Sequence, residues 1–248
     1  MTGLVRKASL LAVLGLMAAS VALAGIPDPT QCTVPTYIDL VACNTSAEVD
    51  PYGLFTVTVN DAAGNPVEGC EVAVVFNTDL KVYSAIPGLT VDCTNRRVIA
   101  TSDASGVATF TITGATINAT GNPVGSGANG ATIYACEIAI GQATVAVFDE
   151  NGAVLTTGIS GTDLSAWLAD FGKQGVIGYK GRSDFDHNAA ISGVDLSFWL
   201  QRFGGGYNIS CGTLCAYGSQ GLFRSFKSAT LSHGDERRWC TSRLAAVR

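Results

Sequence analysis

Histidine occurs only twice in the 248 residues, at His187 and His233, and neither sits in a nucleophile motif. The chain has no G-x-S-x-G, no G-x-x-x-x-G-K-S/T and no H-E-x-x-H, so the residues that acyl transfer, phosphate handling and zinc hydrolysis ordinarily use are missing. No two cysteines form a C-x-x-C pair, which removes ligand spacing of the zinc-finger type. Two carboxylates meeting across a cleft are the one catalytic device that spacing never excludes; apart from that, the expectation is that the protein is not an enzyme. Beyond residue 24 no apolar run approaches the roughly 20 residues that a membrane-spanning helix needs. Positive charge is also scarce in the body of the chain. The formal charge of −5 includes two bases in the first 24 residues and a surplus of four bases in 221–248, which leaves −11 on residues 25–220. An acidic body of this kind argues against a nucleic-acid partner.

The chain opens with an export signal. Arg6 and Lys7 precede an apolar stretch from Ala8 to Leu23, and Ala22-Leu23-Ala24 is a small-x-small cleavage pattern. Together they read as a signal peptide over residues 1–24, cut before Gly25, and the stretch is too short for a bilayer anchor. The mature protein is therefore expected to be secreted or held at the cell surface. Eight cysteines, none inside the signal peptide, suit an oxidising compartment. Cys32, Cys43, Cys70, Cys93 and Cys136 lie early, Cys211 and Cys215 later and Cys240 near the end, so disulfides are expected while their pairing stays open. The length leaves room for one ordinary domain and a small one. Boundaries read as 1–24, 25–150, 151–206 and a basic, Ser-rich tail at 207–248. That tail reads as disordered, either an idle extension or an attachment segment.

From Tyr37 to Phe148 short alternating runs of Val, Thr, Ile, Phe and Tyr are separated by Gly, Asn, Asp and Pro clusters, the pattern of a β-sandwich. In Phe55-Thr56-Val57-Thr58-Val59-Asn60 the apolar residues share one parity, so one face is buried and the other wetted. Val72, Val74 and Phe76 form the next inward set. Ala108, Phe110 and Ile112 then alternate with an outward Thr109, Thr111 and Thr113. Ile133 to Ile140 and Ala143 to Phe148 read as the closing pair. Two turn motifs follow one another in order: Asp61-Ala62-Ala63-Gly64-Asn65-Pro66-Val67 after the first run, and Thr101-Ser102-Asp103-Ala104-Ser105-Gly106-Val107-Ala108 later. With these motifs, residues 37–150 resemble the bacterial immunoglobulin-like domains of the invasin and intimin type. The resemblance implies an immunoglobulin-like sandwich serving as a rigid spacer or adhesive module at a cell surface. The Gly- and Asn-rich insertion from Asn118 to Gly130 departs from that family and reads as a binding loop or as slack.

A duplication follows. Gly158 to Gly172 recurs as Ala190 to Gly204 with a constant offset of 32 residues. In each copy Leu, Trp, Leu and Phe fall at helical spacing: Leu164, Trp167, Leu168 and Phe171, then Leu196, Trp199, Leu200 and Phe203. Ser160 and Ser192 stand as N-caps, with Asp163 and Asp195 in capping-box position and Gly172 and Gly204 as stops. Two such short helices are marginal alone and are expected to pack stripe against stripe. Ahead of the second helix, Asp184, Asp186, Asn188, Ser192 and Asp195 occupy positions 1, 3, 5, 9 and 12 of a calcium loop, with the carbonyl of Ala190 at position 7. Ala189 stands at position 6, where glycine normally makes the sharp turn, and Asp195 at position 12, where a longer Glu is usual. The bland alternative is a polar turn followed by a capping carboxylate.

This duplicated loop and helix, over about 153–204, resembles the dockerin module, whose repeats each comprise an Asp-rich calcium loop and one helix. The first copy has Gly152, Val154 and Thr156 where the second has Asp184, Asp186 and Asn188, so one calcium site is expected, in the second repeat. Asp149, Glu150 and Asn151 lie just outside the register. Dockerins bind cohesins through the loop–helix junction, which here is Gly161, Thr162, Gly193 and Val194, without the usual hydroxyl pairs. The partner implied is thus an extracellular or envelope protein, cohesin-like or private to this chain. The expected fold is mainly β: an immunoglobulin-like β-sandwich followed by a small α-helical dockerin-like pair. The expected function is non-catalytic structural attachment at or outside the cell surface. The competing readings are a carbohydrate-binding accessory protein of polysaccharide breakdown, gripping glycans with exposed aromatics such as Tyr52 or Tyr83, and a small secreted hydrolase.

Overall fold

The computed structural model describes residues 25–42, 50–77, 80–116, 130–149, 159–174, 181–204, 212, 214 and 215. Residues 1–24, read above as a signal peptide, most of the 118–130 insertion, the first-copy loop, and Cys43, Cys211 and Cys240 lie outside them. The chain divides into a unit of residues 1–217 and one of 218–248; the second lies wholly outside the described residues.

Among the described residues the fold is mainly β, with two α-helices and ten strands: β1 Tyr37–Leu40, β2 Leu54–Thr58, β3 Glu71–Phe76, β4 Leu80–Val82, β5 Thr90–Asp92, β6 Arg97–Thr101, β7 Val107–Thr111, β8 Gly114–Thr116, β9 Ala131–Ala135 and β10 Ile138–Val147. Six of them make one sheet in the order β1-β10-β9-β3-β6-β5, while β2-β7 and β4-β8 form two-stranded ladders. Every pairing is antiparallel except β1 on β10, which run parallel with Tyr37 opposite Thr144 and Leu40 opposite Val147. One apolar core gathers residues from the large sheet and from both ladders, among them Leu40, Val57, Val74, Leu80, Phe110, Ile133 and Val145.

The alternation expected of these strands puts the right side chains inward. Val57, Val59, Val72, Val74, Ala108, Phe110 and Ile112 are all fully buried. Thr113 departs from the pattern. It is buried, not wetted: β7 ends at Thr111, and ahead of β8 Thr113 forms a parallel bridge with Val41.

The two turn motifs dock against each other, which explains why both carry so much Asp and Gly. In the first, the Asp61 carboxylate accepts from the amides of Ala63 and Asn65, each at 2.9 Å. In the second, Asp103 accepts from Ser105 at 2.8 Å and Val107 at 2.9 Å. Each is a side-chain-closed turn of the Asx kind. They meet where the Val59 amide donates to the Gly106 carbonyl at 2.8 Å and the Ser102 hydroxyl donates to the Val67 carbonyl at 2.7 Å. Gly106 has φ +74°, and a Cβ there would come 2.5 Å from the Val59 carbonyl oxygen, so only glycine fits.

Disulfides join Cys70 to Cys136 and Cys93 to Cys215. Cys32 is a free, half-buried thiol. Leu214 bridges to Tyr83, and the Cys215 amide donates to the Val82 carbonyl at 2.9 Å. Residues 214 and 215, placed by the sequence at the start of a disordered tail, therefore belong to the β body: after the helical repeats the chain returns to strand β4 and is bonded there.

Candidate metal-binding loop and its docking face

The duplicated segment builds two helices, α1 Gly161–Asp170 and α2 Gly193–Leu200. Each begins with the capping box that its Ser-x-x-Asp spacing predicts. The Ser160 amide donates to Asp163 at 2.7 Å and the Ser192 amide to Asp195 at 2.8 Å, and both carboxylates are fully buried. Each ends on a left-handed glycine, Gly172 at φ +79° and Gly204 at φ +77°. These two glycines make a reciprocal exchange. The Gly172 amide donates to the Ile191 carbonyl at 2.9 Å, and the Gly204 amide donates to the Ile159 carbonyl at 3.1 Å. With an offset of 32 residues between copies, these bonds are equivalent, so each helix ends against the residue that leads into the other.

Packing follows only half of the expected stripe. Trp167 and Trp199 are fully buried, in one cluster with Val41, Ala146, Phe148, Ile159, Phe185 and Ile191. Leu168, Phe171, Leu200 and Phe203 are instead 52–55% exposed. The tryptophans turn into the buried cluster that Val41, Ala146 and Phe148 of the β body share with Phe185, and that rotation leaves the second half of each stripe on the outside.

The loop of 184–195 holds the acidic group that the sequence points to. One carboxylate oxygen from each of Asp184, Asp186 and Asp195 lies within 4.8 Å of the others. Asp184 and Asp195 are fully buried and Asp186 is half-buried. Asp195 anchors the loop to the helix: its Oδ1 accepts from the amides of Phe185 at 2.8 Å and Asp186 at 3.1 Å, while its Oδ2 accepts from Ser192. Asp184 accepts from the amides of Asn188 and Ala189. Burial, the charge of Asp195 and the proximity of Asp184 together push the Asp186 carboxyl above its ordinary range. The repulsive part of that shift is what a divalent cation would relieve, and an all-oxygen donor set of this kind fits a hard cation. Ala189, at the position usually held by glycine, adopts φ +64°, and His187 adopts φ +60°. The turn is thus made without glycine, at the steric cost a Cβ brings to that region.

Two of the other predicted donors also serve the backbone of the loop and its helix cap. The Asn188 side chain caps the Ala190 amide through its oxygen at 2.8 Å and donates to Asp186 at 2.8 Å. The Ser192 hydroxyl accepts from the Val194 amide at 3.1 Å and serves as the helix cap. Ala190 pairs in a bridge with Gln174. Of the first-copy residues, Gly152, Val154, Thr156, Glu150 and Asn151 lie outside the described residues. Asp149 is buried at the end of β10, its carbonyl accepting from Thr116. The junction residues Gly161, Thr162, Gly193 and Val194 are all exposed.

The loop also touches residues that sequence reasoning missed. His187 stacks on Tyr37 of β1 with ring centroids 4.4 Å apart and an 8° interplanar angle, and its Nε2 lies 3.1 Å from Asp39 Oδ1. Burial works against a charged ring there, yet the hydrogen bond and charge of Asp39, with Asp184 and Asp186 behind it, hold the His187 pKa above its ordinary value. Burial raises Asp39 despite that contact. The Tyr52 hydroxyl donates to the Phe185 carbonyl, and Phe185 stacks on Phe148 at 4.2 Å. Arg202 forms a two-point bond with Asp50, at 2.6 and 3.2 Å, and lies over the rings of Tyr52 and Phe148. Between loop and sheet lies a cleft of about 410 Å³ lined by Tyr37, Asp39, Tyr52, Phe55, His187 and Phe198. The pairs Tyr52–Phe185, Asp39–His187 and Asp50–Arg202 are more than 130 positions apart in sequence, and no local signal marks them.

Neither tyrosine suggested for glycan contact is an open platform. Tyr83 is buried. Tyr52 is half-buried, with Phe148, Phe198 and Arg202 against its ring. No family model, curated protein or solved structure matches the chain.

Proposed function

We propose that the chain is an exported, non-catalytic structural and interaction protein: an immunoglobulin-like β module carrying a dockerin-like helix pair, with one calcium ion in the loop of the second repeat. It attaches to an extracellular or cell-envelope protein through the outer face of that pair. The observation that carries the reading is the convergence of Asp184, Asp186 and Asp195 within 4.8 Å, in a loop whose donor spacing runs into a capped helix. The reciprocal Gly172–Ile191 and Gly204–Ile159 bonds support the two-repeat architecture. The exposed face supports the binding role. Leu168, Phe171, Leu200 and Phe203 stand at equivalent positions of the two copies, and Val194 joins them at the loop–helix junction. Open apolar surface of this kind, repeated at equivalent positions of two copies, marks an interaction site. Calcium, when bound, would offset two of the three negative charges of the carboxylates and hold the loop closed. Asp184 and Asp186 would hold it, with Asp195 tying the loop to the first turn of α2.

Isothermal titration of the full chain with calcium tests the central claim. Wild-type protein is expected to give saturable heat that the Asp184→Ala, Asp186→Ala double variant lacks. Equal traces for the two proteins would remove calcium from the account.

A further inference from the structure

The loop of the second repeat alternates in direction. Its first, third and fifth residues, Asp184, Asp186 and Asn188, carry the predicted donors. The two residues between them, Phe185 and His187, face the β body instead, Phe185 on Phe148 and Tyr52, His187 on Tyr37 and Asp39. A one-residue shift in this loop would therefore disturb the donors and the sheet contacts together. The sheet contacts fall on one short region: Tyr37 and Asp39 on strand β1, and Tyr52 in the 3-10 turn Pro51–Gly53 that enters β2. Strand β1 is the edge of the large sheet and pairs with β10 alone.

We infer that Tyr37, Asp39 and Tyr52 are positioning residues for the cation loop, and that calcium occupancy and the stability of edge strand β1 are thermodynamically coupled through His187 and Phe185. The inference rests on the reading of 184–195 as a calcium loop. Its content is different: the β body pre-forms the loop, so that less of the binding energy goes into ordering it. Linkage makes the effect reciprocal. A sheet face that tightens calcium binding must itself be tightened by calcium, by the same factor. Calcium thereby acts as a clamp on the junction between the β body and the helix pair.

The test uses the full chain and two variants that leave the charge unchanged, so that altered Coulomb attraction plays no part. Tyr37→Ala removes the ring under His187, and Tyr52→Phe removes only the hydroxyl that donates to the Phe185 carbonyl. From the ordinary value of one ring stack or one hydrogen bond, each is expected to weaken calcium binding about three- to tenfold. In the wild type, saturating calcium is expected to slow hydrogen exchange at the amides of Ile38 to Leu40. In Tyr37→Ala the slowing shrinks in step with the lost affinity. Tyr52→Phe, the smaller change, keeps the test valid if Tyr37→Ala fails to fold. Wild-type affinity in folded variants, or β1 exchange indifferent to calcium in a wild type that binds it, overturns the coupling while leaving the calcium reading intact. A wild type that gives no calcium heat at all overturns both.

Discussion

Asp61 and Asp103 each close a turn by accepting two backbone amides through one carboxylate oxygen. The hydrogen bonds from the Asn65 amide and side chain hold the Asp61 carboxyl below its ordinary value of 3.8, outweighing what burial does in the other direction. A carboxyl depressed on folding contributes stability that is present above 3.8 and is lost as pH falls through its lower folded value. Acid unfolding followed by circular dichroism is therefore expected to steepen below about pH 4, and Asp61→Asn, which cannot titrate, should flatten that limb. An unchanged acid limb in Asp61→Asn would show that this turn does not contribute. These turn aspartates were legible in the sequence, because an Asx turn is a local arrangement of residues within a few positions of one another. Asp39 was not. Its partner His187 lies 148 positions away, and nothing near Asp39 distinguishes it from a surface carboxylate.

Helices α1 and α2 show how far periodicity carries. Their existence, starts and stops follow from Ser-x-x-Asp, the spacing of Leu, Trp and Phe, and the terminal glycines, all of them local rules. The side each helix buries does not follow, since a stripe of four apolar residues offers several rotations. Trp167 and Trp199 turn into the buried cluster they share with Phe148 and Phe185, and Leu168 and Leu200 turn outward. The energetic contrast between the two positions is measurable. Trp199→Ala, which empties a fully buried site, should destabilise the protein by about 3–5 kcal/mol in urea unfolding. Leu200→Ala, one position further along and 52% exposed, should stay within about 0.5 kcal/mol while weakening any partner that uses this face. Equal losses for the two would mean that the helices are rotated differently. Arg202 adds a second asymmetry. It occupies the place that Asp170 holds in the first copy, and the two residues reach in different directions, Arg202 to Asp50 of the β body and Asp170 to Arg182 at 2.7 Å within the repeats.

At the scale of the whole molecule, the helical repeats form a loop returned to the β body. The chain leaves β10 at Val147, runs through both helices and comes back at Leu214 and Cys215, where Cys93 takes it up covalently. The Cys93–Cys215 bridge spans 122 residues, against 66 for Cys70–Cys136. It therefore closes the longer loop of the unfolded chain, and both helical repeats are inside it. Replacing Cys93 and Cys215 by serine is expected to cost about 2–5 kcal/mol of stability, read as a lower urea midpoint. Calcium heat should survive, because Asp184, Asp186 and Asp195 are held by local bonds. An unchanged midpoint would show that the return strand is held by Leu214 and the backbone bonds alone.

Local chemistry settled part of this protein: alternation placed the inward faces of β2, β3 and β7, Asp-x-x-Gly turns placed two corners, the repeat set the two helices and their caps, and donor spacing singled out the loop of 184–195. The closing pair differs from its reading, because the chain turns at Cys136 and Glu137, inside the run Ile133 to Ile140, so that β9 is Ala131–Ala135 and β10 is Ile138–Val147. What required the tertiary structure was everything that depends on which distant surfaces meet. Chain order does not encode that both tryptophans share one buried cluster with Phe148 and Phe185, that Tyr37 and Asp39 of an edge strand hold His187, that Cys93 pairs with Cys215, or that Asn188 and Ser192 use their oxygens on backbone amides. The physical reason is the range of the forces. Turns, caps and helical stripes are decided within about one turn of chain, where spacing is visible in the sequence. Docking is decided by the shape of apolar surface left over once those elements exist, and that surface appears only when the chain has folded.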